Sequence, residues 1–333
     1  MHLLVTGGAG FIGSNFVHYW LGRYPDDHVA VYDLLTYAGN RPSLAAVEDR
    51  IVFVQGDIAD LELTEKVMSD EGIDTVVNFA AESHNSLAVL DPGLFARTNV
   101  LGTQLLLEAA RRSGIKRFHH ISTCEVFGDL ALDSEEVFTE ESPYRPRTPY
   151  NASKAAADHY VRAYHETYGL PVTITNCSNN YGPYQFPEKV LPLFITNALD
   201  DQPLPMYAST QNRREWLHVL DHCSAIDLAL RKGREGETYN VGSGIEASIE
   251  EIADLVLELT GKPAALKTIV PDRPGHDRRY LLDATKIREE LGWEPAHGWK
   301  EGLAETVAWY AANRSWWEPL KERAPVEETA WRG

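Results

Sequence analysis

The sequence predicts an α/β fold, a doubly wound parallel sheet with a smaller, discontinuous domain in its C-terminal half. Three observations predict it. Short apolar runs alternate with helical stretches from the first residues, a glycine-rich turn follows the first run, and prolines break the alternation after about Pro183. Strands buried on both faces read as unbroken apolar runs, and their alternation with helices marks βαβ units.

The elements follow in order. His2-Leu3-Leu4-Val5-Thr6 is the first predicted strand, followed by a helix from Ser14 to Arg23. Five further predicted strands begin at Val29, Ile51, Thr75, Arg117 and Val172 and end at Asp33, Asp57, Ala80, Ser122 and Asn176. Long helices are expected from Pro92 to Ser113 and from Tyr150 to Tyr168. Pro183, Pro187, Pro192, Pro203 and Pro205 then loosen the pattern, and later helices, such as one from Ser248 to Thr260, stand between longer loops. Residues 1–183 are therefore expected to form the first domain, with returning segments near 215–245, and residues 184–333 mainly the second. The tail carries Trp309, Trp316, Trp317 and Trp331 and is expected to be a helix packing its rings on the body.

Composition narrows the partners. The 333 residues carry 31 Lys and Arg against 49 Asp and Glu, a formal charge of −18. So acidic a chain argues against non-specific binding to nucleic acid or an anionic membrane. Cys124, Cys177 and Cys223 are far apart, with no CxxC and no metal-ligand spacing, so neither a disulfide framework nor a metal site is expected. No apolar run approaches the ~18 residues of a membrane span, and no basic segment precedes an apolar stretch at the start. A cytoplasmic chain is the expectation.

Gly7-x-x-Gly10-x-x-Gly13 follows a predicted strand and, with Phe11 and Ile12, opens a helix. That is the context in which glycines permit a tight turn and the backbone's approach to a pyrophosphate held at a helix N-terminus, as in a Rossmann-type domain. Asp33, 20 residues after Gly13, ends the second strand. A carboxylate there accepts from a ribose 2′-hydroxyl and repels a 2′-phosphate, so NAD is the expected cofactor rather than NADP. Asp57 and Ile58 would lie along the adenine edge.

Tyr150 and Lys154 stand four residues apart on one helical face. A nearby ammonium lowers a phenol's pKa, so Tyr150 is a candidate base for a hydroxyl proton. The preceding strand ends in Ser122-Thr123, within reach of the same point, and Glu125 follows on the loop as a second base able to act on carbon beside a ketone. With the glycine turn, this combination resembles the extended short-chain dehydrogenase/reductase superfamily. Five stretches narrow the resemblance to its nucleotide-sugar 4,6-dehydratases. They are Thr123-Cys124-Glu125, Tyr150-x-x-x-Lys154, the run from Asn179-Asn180-Tyr181-Gly182-Pro183-Tyr184 to Gln185-Phe186-Pro187-Glu188-Lys189, Arg214-Glu215-Trp216, and the segment from Asp272 to Tyr280.

The resemblance implies tightly bound NAD, regenerated in each turnover, and a nucleoside diphosphate hexose as substrate, dTDP-glucose before others. Leu35, Thr36, Tyr37, Ala80, Ala81, Thr98 and Asn180 would join the glycine turn, Tyr150 and Lys154 around NAD. Asn179, Glu188, Lys189, Arg214, Arg273, His276, Arg278 and Tyr280 would hold the nucleoside diphosphate, Pro205 and Tyr207 the base, with Ser83, His84, Thr123 and Asn240 completing the substrate set. Arg and Lys supply the local positive charge that a diphosphate needs in an acidic protein. From the residues alone, Arg273, Arg278 and Arg279 also read as a surface salt-bridge cluster.

The implied reaction has three steps. Tyr150, supported by Lys154 and Thr123, takes the C4 hydroxyl proton while NAD takes the C4 hydride. Glu125 takes the C5 proton as water leaves from C6, and hydride then returns to C6. Two departures bear on this scheme. Related enzymes carry Asp, the acid for the C6 hydroxyl, where this chain has Cys124, so the acid is the thiol, water or another side chain. They also carry Val-Asp-Arg-Ser after the His, where this chain has Asn85-Ser86-Leu87-Ala88. A 5,6-dehydratase or 4-epimerase of another nucleotide sugar, and a non-catalytic NAD-binding sensor, stay open at this stage. A homodimer through helices 92–113 and 150–168 is expected, since related enzymes pair these helices.

Overall fold

The computed structural model describes residues 1–272 and 274–323, so Arg273 and Trp331 lie outside the described residues. Its strands are β1 (His2–Thr6), β2 (His28–Asp33), β3 (Val52–Gln55), β4 (Thr75–Asn78), β5 (Arg117–Thr123), β6 (Val172–Cys177), β7 (Asn179–Tyr181), β8 (Leu204–Tyr207), β9 (Arg213–His218), β10 (Thr238–Val241), β11 (Glu246–Ser248) and β12 (Lys267–Val270). Seven of them form one sheet in the order β10-β6-β5-β4-β1-β2-β3, every pairing parallel. The predicted α/β class is borne out.

Alternation along each strand explains why the sheet is covered twice. Leu4, Ala30, Tyr32 and Val76 pack on one face with Val67, Leu106, Leu107 and Val161 of the helices Leu61–Asp70, Thr103–Arg112 and Pro149–Tyr168. Leu3, Val5, Val29 and Val31 pack on the other with Phe16 and Trp20 of helix Phe11–Arg23 and Val219, Cys223 and Ile226 of helix Val219–Lys232. The chain reverses its winding between β2 and β4, on either side of β1. That switch point opens a crevice beyond the carboxyl ends of the strands.

Several predicted boundaries move. The third and fourth strands stop at Gln55 and Asn78, so residues 56–57 and 79–80 turn over the sheet end. Gly56 permits this because the Tyr32 ring occupies the place of a Cβ there, 2.4 Å from its ideal position. The predicted helix from Pro92 contains a π-helical turn, Ala96–Gly102. Within that turn Asn99 is buried, accepts from Glu82 N at 2.8 Å, and donates to Glu82 O at 3.0 Å and Ser153 Oγ at 2.8 Å. The π turn thus ties the loop after β4 to the helix that carries Tyr150.

A second core, built from Leu191, Phe194, Ile195, Trp216, Ile252, Val256, Leu303, Tyr310 and Trp317, holds the smaller half together. It includes the small sheet β11-β9-β7 and the pair β12-β8. Trp316 donates to Ser43 Oγ at 3.2 Å and Trp317 to Tyr310 O at 2.8 Å, so these tail rings do pack on the body. Trp317 is 0% exposed, and Trp317→Ala should lower stability by about 3–5 kcal/mol in denaturant unfolding followed by circular dichroism. An unchanged midpoint would show that the tail packs independently of the core.

Candidate active site

Two adjoining cavities lie beyond the carboxyl ends of the strands. The first, about 360 Å³, runs over β1, β2 and β4. Gly7 has φ +65°, and a Cβ on it would stand 2.6 Å from Ala80 N; one on Gly13 would stand 2.3 Å from Gly7 O. Only glycine lets these three backbone segments meet. Gly10 is the N-cap of helix Phe11–Arg23 and offers no side-chain cap, which leaves the first N–H groups facing the cavity wall as an anion site. Asp33 is buried at the end of β2, where Oδ2 accepts from Ala9 N at 2.9 Å and Oδ1 from Leu35 N at 2.8 Å. Burial raises its pKa and the two N–H donors lower it again. The cradle and its terminal carboxylate fit a dinucleotide.

Phe11, Ile12, Thr36, Tyr37, Asp57, Ile58, Ala80, Ala81, Thr98 and Asn180 line this cavity with the three glycines and Asp33. Leu35 does not. It has φ +58°, and its side chain turns down against the core beneath the first helix, while Leu34 takes the wall position.

Thr123, Glu125, Tyr150 and Lys154 converge on the inner end of the same cavity. Burial, then the Glu125 carboxylate, pushes the Tyr150 phenol well above its ordinary value, against a hydrogen bond with Thr123 that lowers it. The lowering expected from Lys154 does not prevail, because the ammonium turns inward. Its Nζ donates to Ile121 O at 2.7 Å and lies 3.5 Å from His120 Nε2, which is 3.5 Å from Asp158 Oδ1. Asp158 Oδ2 accepts from Ser122 Oγ at 2.7 Å and Tyr144 OH at 2.8 Å. Asp158 lies four residues after Lys154, a spacing by which the sequence could have revealed it.

The second cavity, about 210 Å³, extends into the smaller half. His84, Pro205, Tyr207, Arg214, His276 and Tyr280 line it, while Asn179, Glu188, Lys189 and Glu125 line both cavities. Glu188 joins the two sides. Tyr37 OH donates to it at 2.9 Å, His84 Nε2 lies 3.2 Å away, and Lys189 Nζ lies 3.4 Å away while donating to Ser83 O at 3.0 Å. Tyr207 and His276 meet edge to face at 5.0 Å between centroids, which lines this end of the cavity with aromatic surface. Arg214 sits 4.8 Å over the Tyr280 ring and donates to the carbonyls of Arg213 and Asp277, both at 2.7 Å.

Besides Leu35, three expected residues, Arg278, Asn240 and Cys124, are not brought to either wall. Arg278 is half exposed and paired with Asp129 at 2.7 Å, and Arg279 is paired with Glu246 at 2.6 Å, which is the salt-bridge alternative. Asn240 lies in β10 with its amide donated to Phe138 O at 3.0 Å. Cys124 is 1% exposed, packed with Val126, Phe127, Ala155, Tyr280 and Leu282. Burial, with Glu125 second, raises its thiol well above the usual range and keeps it neutral. Conversely, Asn85, which the sequence marked only as a departure, lines both cavities and donates to Glu125 Oε2 at 3.3 Å.

Comparison with known proteins finds relatives over nearly the full length. A family model described as GDP-mannose 4,6 dehydratase matches residues 4–306. A dTDP-glucose 4,6-dehydratase of Streptomyces niveus is 51% identical over 99% of this chain and 98% of its own. One of Mycobacterium tuberculosis is 50% identical over 97% of each. Among solved structures, the dTDP-glucose 4,6-dehydratase of Streptomyces venezuelae with NAD and TYD bound superposes with TM-score 0.93 at 51% identity, covering 96% of this chain and 100% of that one. A UDP-glucose 4-epimerase of Thermotoga maritima superposes with TM-score 0.88 at 30% identity, covering 94% and 100%.

The glycine cradle generates a test of its own. Gly7→Ala should cost about 1–3 kcal/mol from a strained positive φ and the clash with Ala80, read as a lowered midpoint in thermal or denaturant unfolding. An unshifted midpoint would mean that the turn yields freely.

Proposed function

This chain belongs to the GDP-mannose 4,6 dehydratase family, and we propose that it dehydrates a nucleoside diphosphate hexose, dTDP-glucose first, to the 4-keto-6-deoxy sugar. The observation that carries the reading is Glu125, a carboxylate shared by the cavity that holds Tyr150 and the cavity beside it. A 4-epimerase shares the fold but needs no base at C5, so the superposition with an epimerase does not compete.

NAD is the cofactor, held by the glycine cradle and Asp33; when bound it supplies the hydride acceptor at C4, the donor at C6 and a positive charge beside the phenol. Tyr150, with Thr123 on its hydroxyl, takes the C4 hydroxyl proton. Lys154 holds positive charge on the buried side of the same helix. A C4 ketone acidifies C5–H, and Glu125 removes that proton. Because Cys124 is packed off the wall, we assign the departing C6 oxygen its proton from the same Glu125 carboxyl. The C5–H and C6–O bonds break, the C5–C6 double bond forms, and water leaves with the carboxylate regenerated. A proton then returns to C5 as C6 is reduced. Arg214, Lys189 and Asn179 are the residues we assign to the nucleoside diphosphate, with Tyr207, Pro205 and His276 against its base and Ser83, His84, Glu188 and Tyr280 around the sugar end.

The division into an NAD-binding part, residues 1–183 with returns near 215–245, and a nucleotide-sugar part, mainly 184–333, belongs to this proposal. So does a cytoplasmic location, where three buried thiols stay reduced. Among the described residues no helix is long and apolar enough to cross a membrane. We further assign a homodimer to helices 92–113 and 150–168, whose outer surfaces expose Leu101, Tyr160 and Tyr168. A monomer mass by light scattering at micromolar protein would overturn that assignment.

With dTDP-glucose, Glu125→Gln should oxidise C4 and accumulate NADH absorbance at 340 nm while losing elimination by roughly 10²-fold or more. Tyr150→Phe should stop earlier, with no NADH signal. Wild-type turnover by Glu125→Gln would sink the mechanism. Should Cys124→Ser slow water loss while C5 deuterium exchange continues, the thiol is the acid and the single-carboxyl assignment fails.

A further inference from the structure

Asn85 stands where the two cavities meet, at the start of the short helix Asn85–Leu90. Its Nδ2 donates to Glu125 Oε2 and its Oδ1 accepts from Thr148 Oγ1, both at 3.3 Å. Thr148 is the N-cap of helix Pro149–Tyr168, and the same Oγ1 accepts from Asn151 N at 3.2 Å. The threonine hydroxyl therefore spends its one proton on Asn85. The alternative amide orientation would turn the Asn85 oxygen toward a carboxylate, acceptor against acceptor, so chemistry fixes which end faces Glu125. The helix that orients Asn85 also carries Tyr150, two residues beyond Thr148.

We propose that Asn85 is the positioning residue for Glu125, an amide donor that keeps this carboxylate ionised and aimed, in one frame with the Tyr150 phenol. The inference rests on the assignment of Glu125 as the C5 base. An N–H donated to a carboxylate favours its charged form. Several ionisable groups face Glu125 from the elements packed around it. Tyr150 faces it from the long helix, Tyr280 from the segment after Asp277, Cys177 from β6 and Cys124 from its own turn, and each is held neutral by burial. Of the nearby cations, Arg214 is spread over the Tyr280 ring and backbone carbonyls, and Lys154 is turned inward to Ile121 O.

Two readouts on the holoenzyme test this. Carbodiimide labels protonated carboxyls, so labelling of Glu125 against pH, followed by peptide mass spectrometry, needs no substrate. Asn85→Ala should move the labelling midpoint up by about one pH unit, the scale of one charge-assisted hydrogen bond, and Asn85→Asp further. Thr148→Val, which frees the amide without removing it, should shift it the same way by less. With dTDP-glucose at pH 7, Asn85→Ala should oxidise C4 normally but eliminate roughly 10- to 100-fold more slowly, with NADH building up and the deficit shrinking as pH rises. A merely structural Asn85 would slow both steps together and leave the midpoint in place. An unshifted midpoint in Asn85→Ala and Asn85→Asp overturns the inference whatever the rates do. A wild-type enzyme that releases no 4-keto-6-deoxy sugar overturns the functional reading instead.

Discussion

Lys154 is an ammonium with almost no contact with water, and much of the site is arranged around keeping it charged. Taking one ion out of water costs several kcal/mol unless a partner answers it. Burial lowers the Lys154 pKa and raises that of Asp158, and each group pulls the other back. His120 stands between them, at the end of a chain of polar contacts. Ala80 N donates to Thr6 Oγ1 at 3.4 Å, and the Thr6 hydroxyl donates to Asn78 Oδ1 at 2.6 Å. Asn78 Nδ2 lies 3.1 Å from His120 Nδ1, and His120 Nε2 lies 3.5 Å from both Asp158 Oδ1 and Lys154 Nζ. The ends of β1, β4 and β5 are thereby pinned to one another and to the long helix at the level where the two cavities open.

How much of this was legible in the sequence depends on what each residue answers to. The strands answer to burial on two faces, so their apolar runs declared them, and the glycine turn declared itself because no other residue fits there. Strand ends were less legible, since Gly56 and Phe79 leave the sheet for reasons that reside in Tyr32 and in the turn above. The convergence of Thr123, Glu125, Tyr150 and Lys154 was legible because strand order fixes which loops meet. Arg278, Asn240, Leu35 and Cys124 were not, because each is claimed by a neighbour distant in sequence: Asp129, Phe138, the core under the first helix, and Tyr280. A charged or polar side chain in a motif announces an ability, and its partner decides how that ability is used. Asn85 is the converse case, with no periodicity or spacing to mark it.

The two departures from the related enzymes' pattern lie on opposite sides of the same carboxylate. On one side Cys124 contributes volume to an apolar cluster; on the other Asn85 contributes a donor at the cavity surface. Pocket residues changed in this way are best read as a pair, since the field at Glu125 is the sum of both.

The strand β10 has a consequence for the order in which this protein can come into being. Among the described residues it pairs only with β6 and closes that edge of the sheet, yet it lies more than 60 residues further along the chain, after the first strands of the smaller half. During synthesis the unpaired edge of β6 must wait, with Ile174 N lacking the carbonyl of Glu237 that it finds at 3.0 Å in the finished molecule. An open edge of that kind invites pairing with another nascent chain. The seven-stranded sheet cannot be completed on the ribosome until much of the smaller half has emerged, so the two parts are made interdependent before either binds anything.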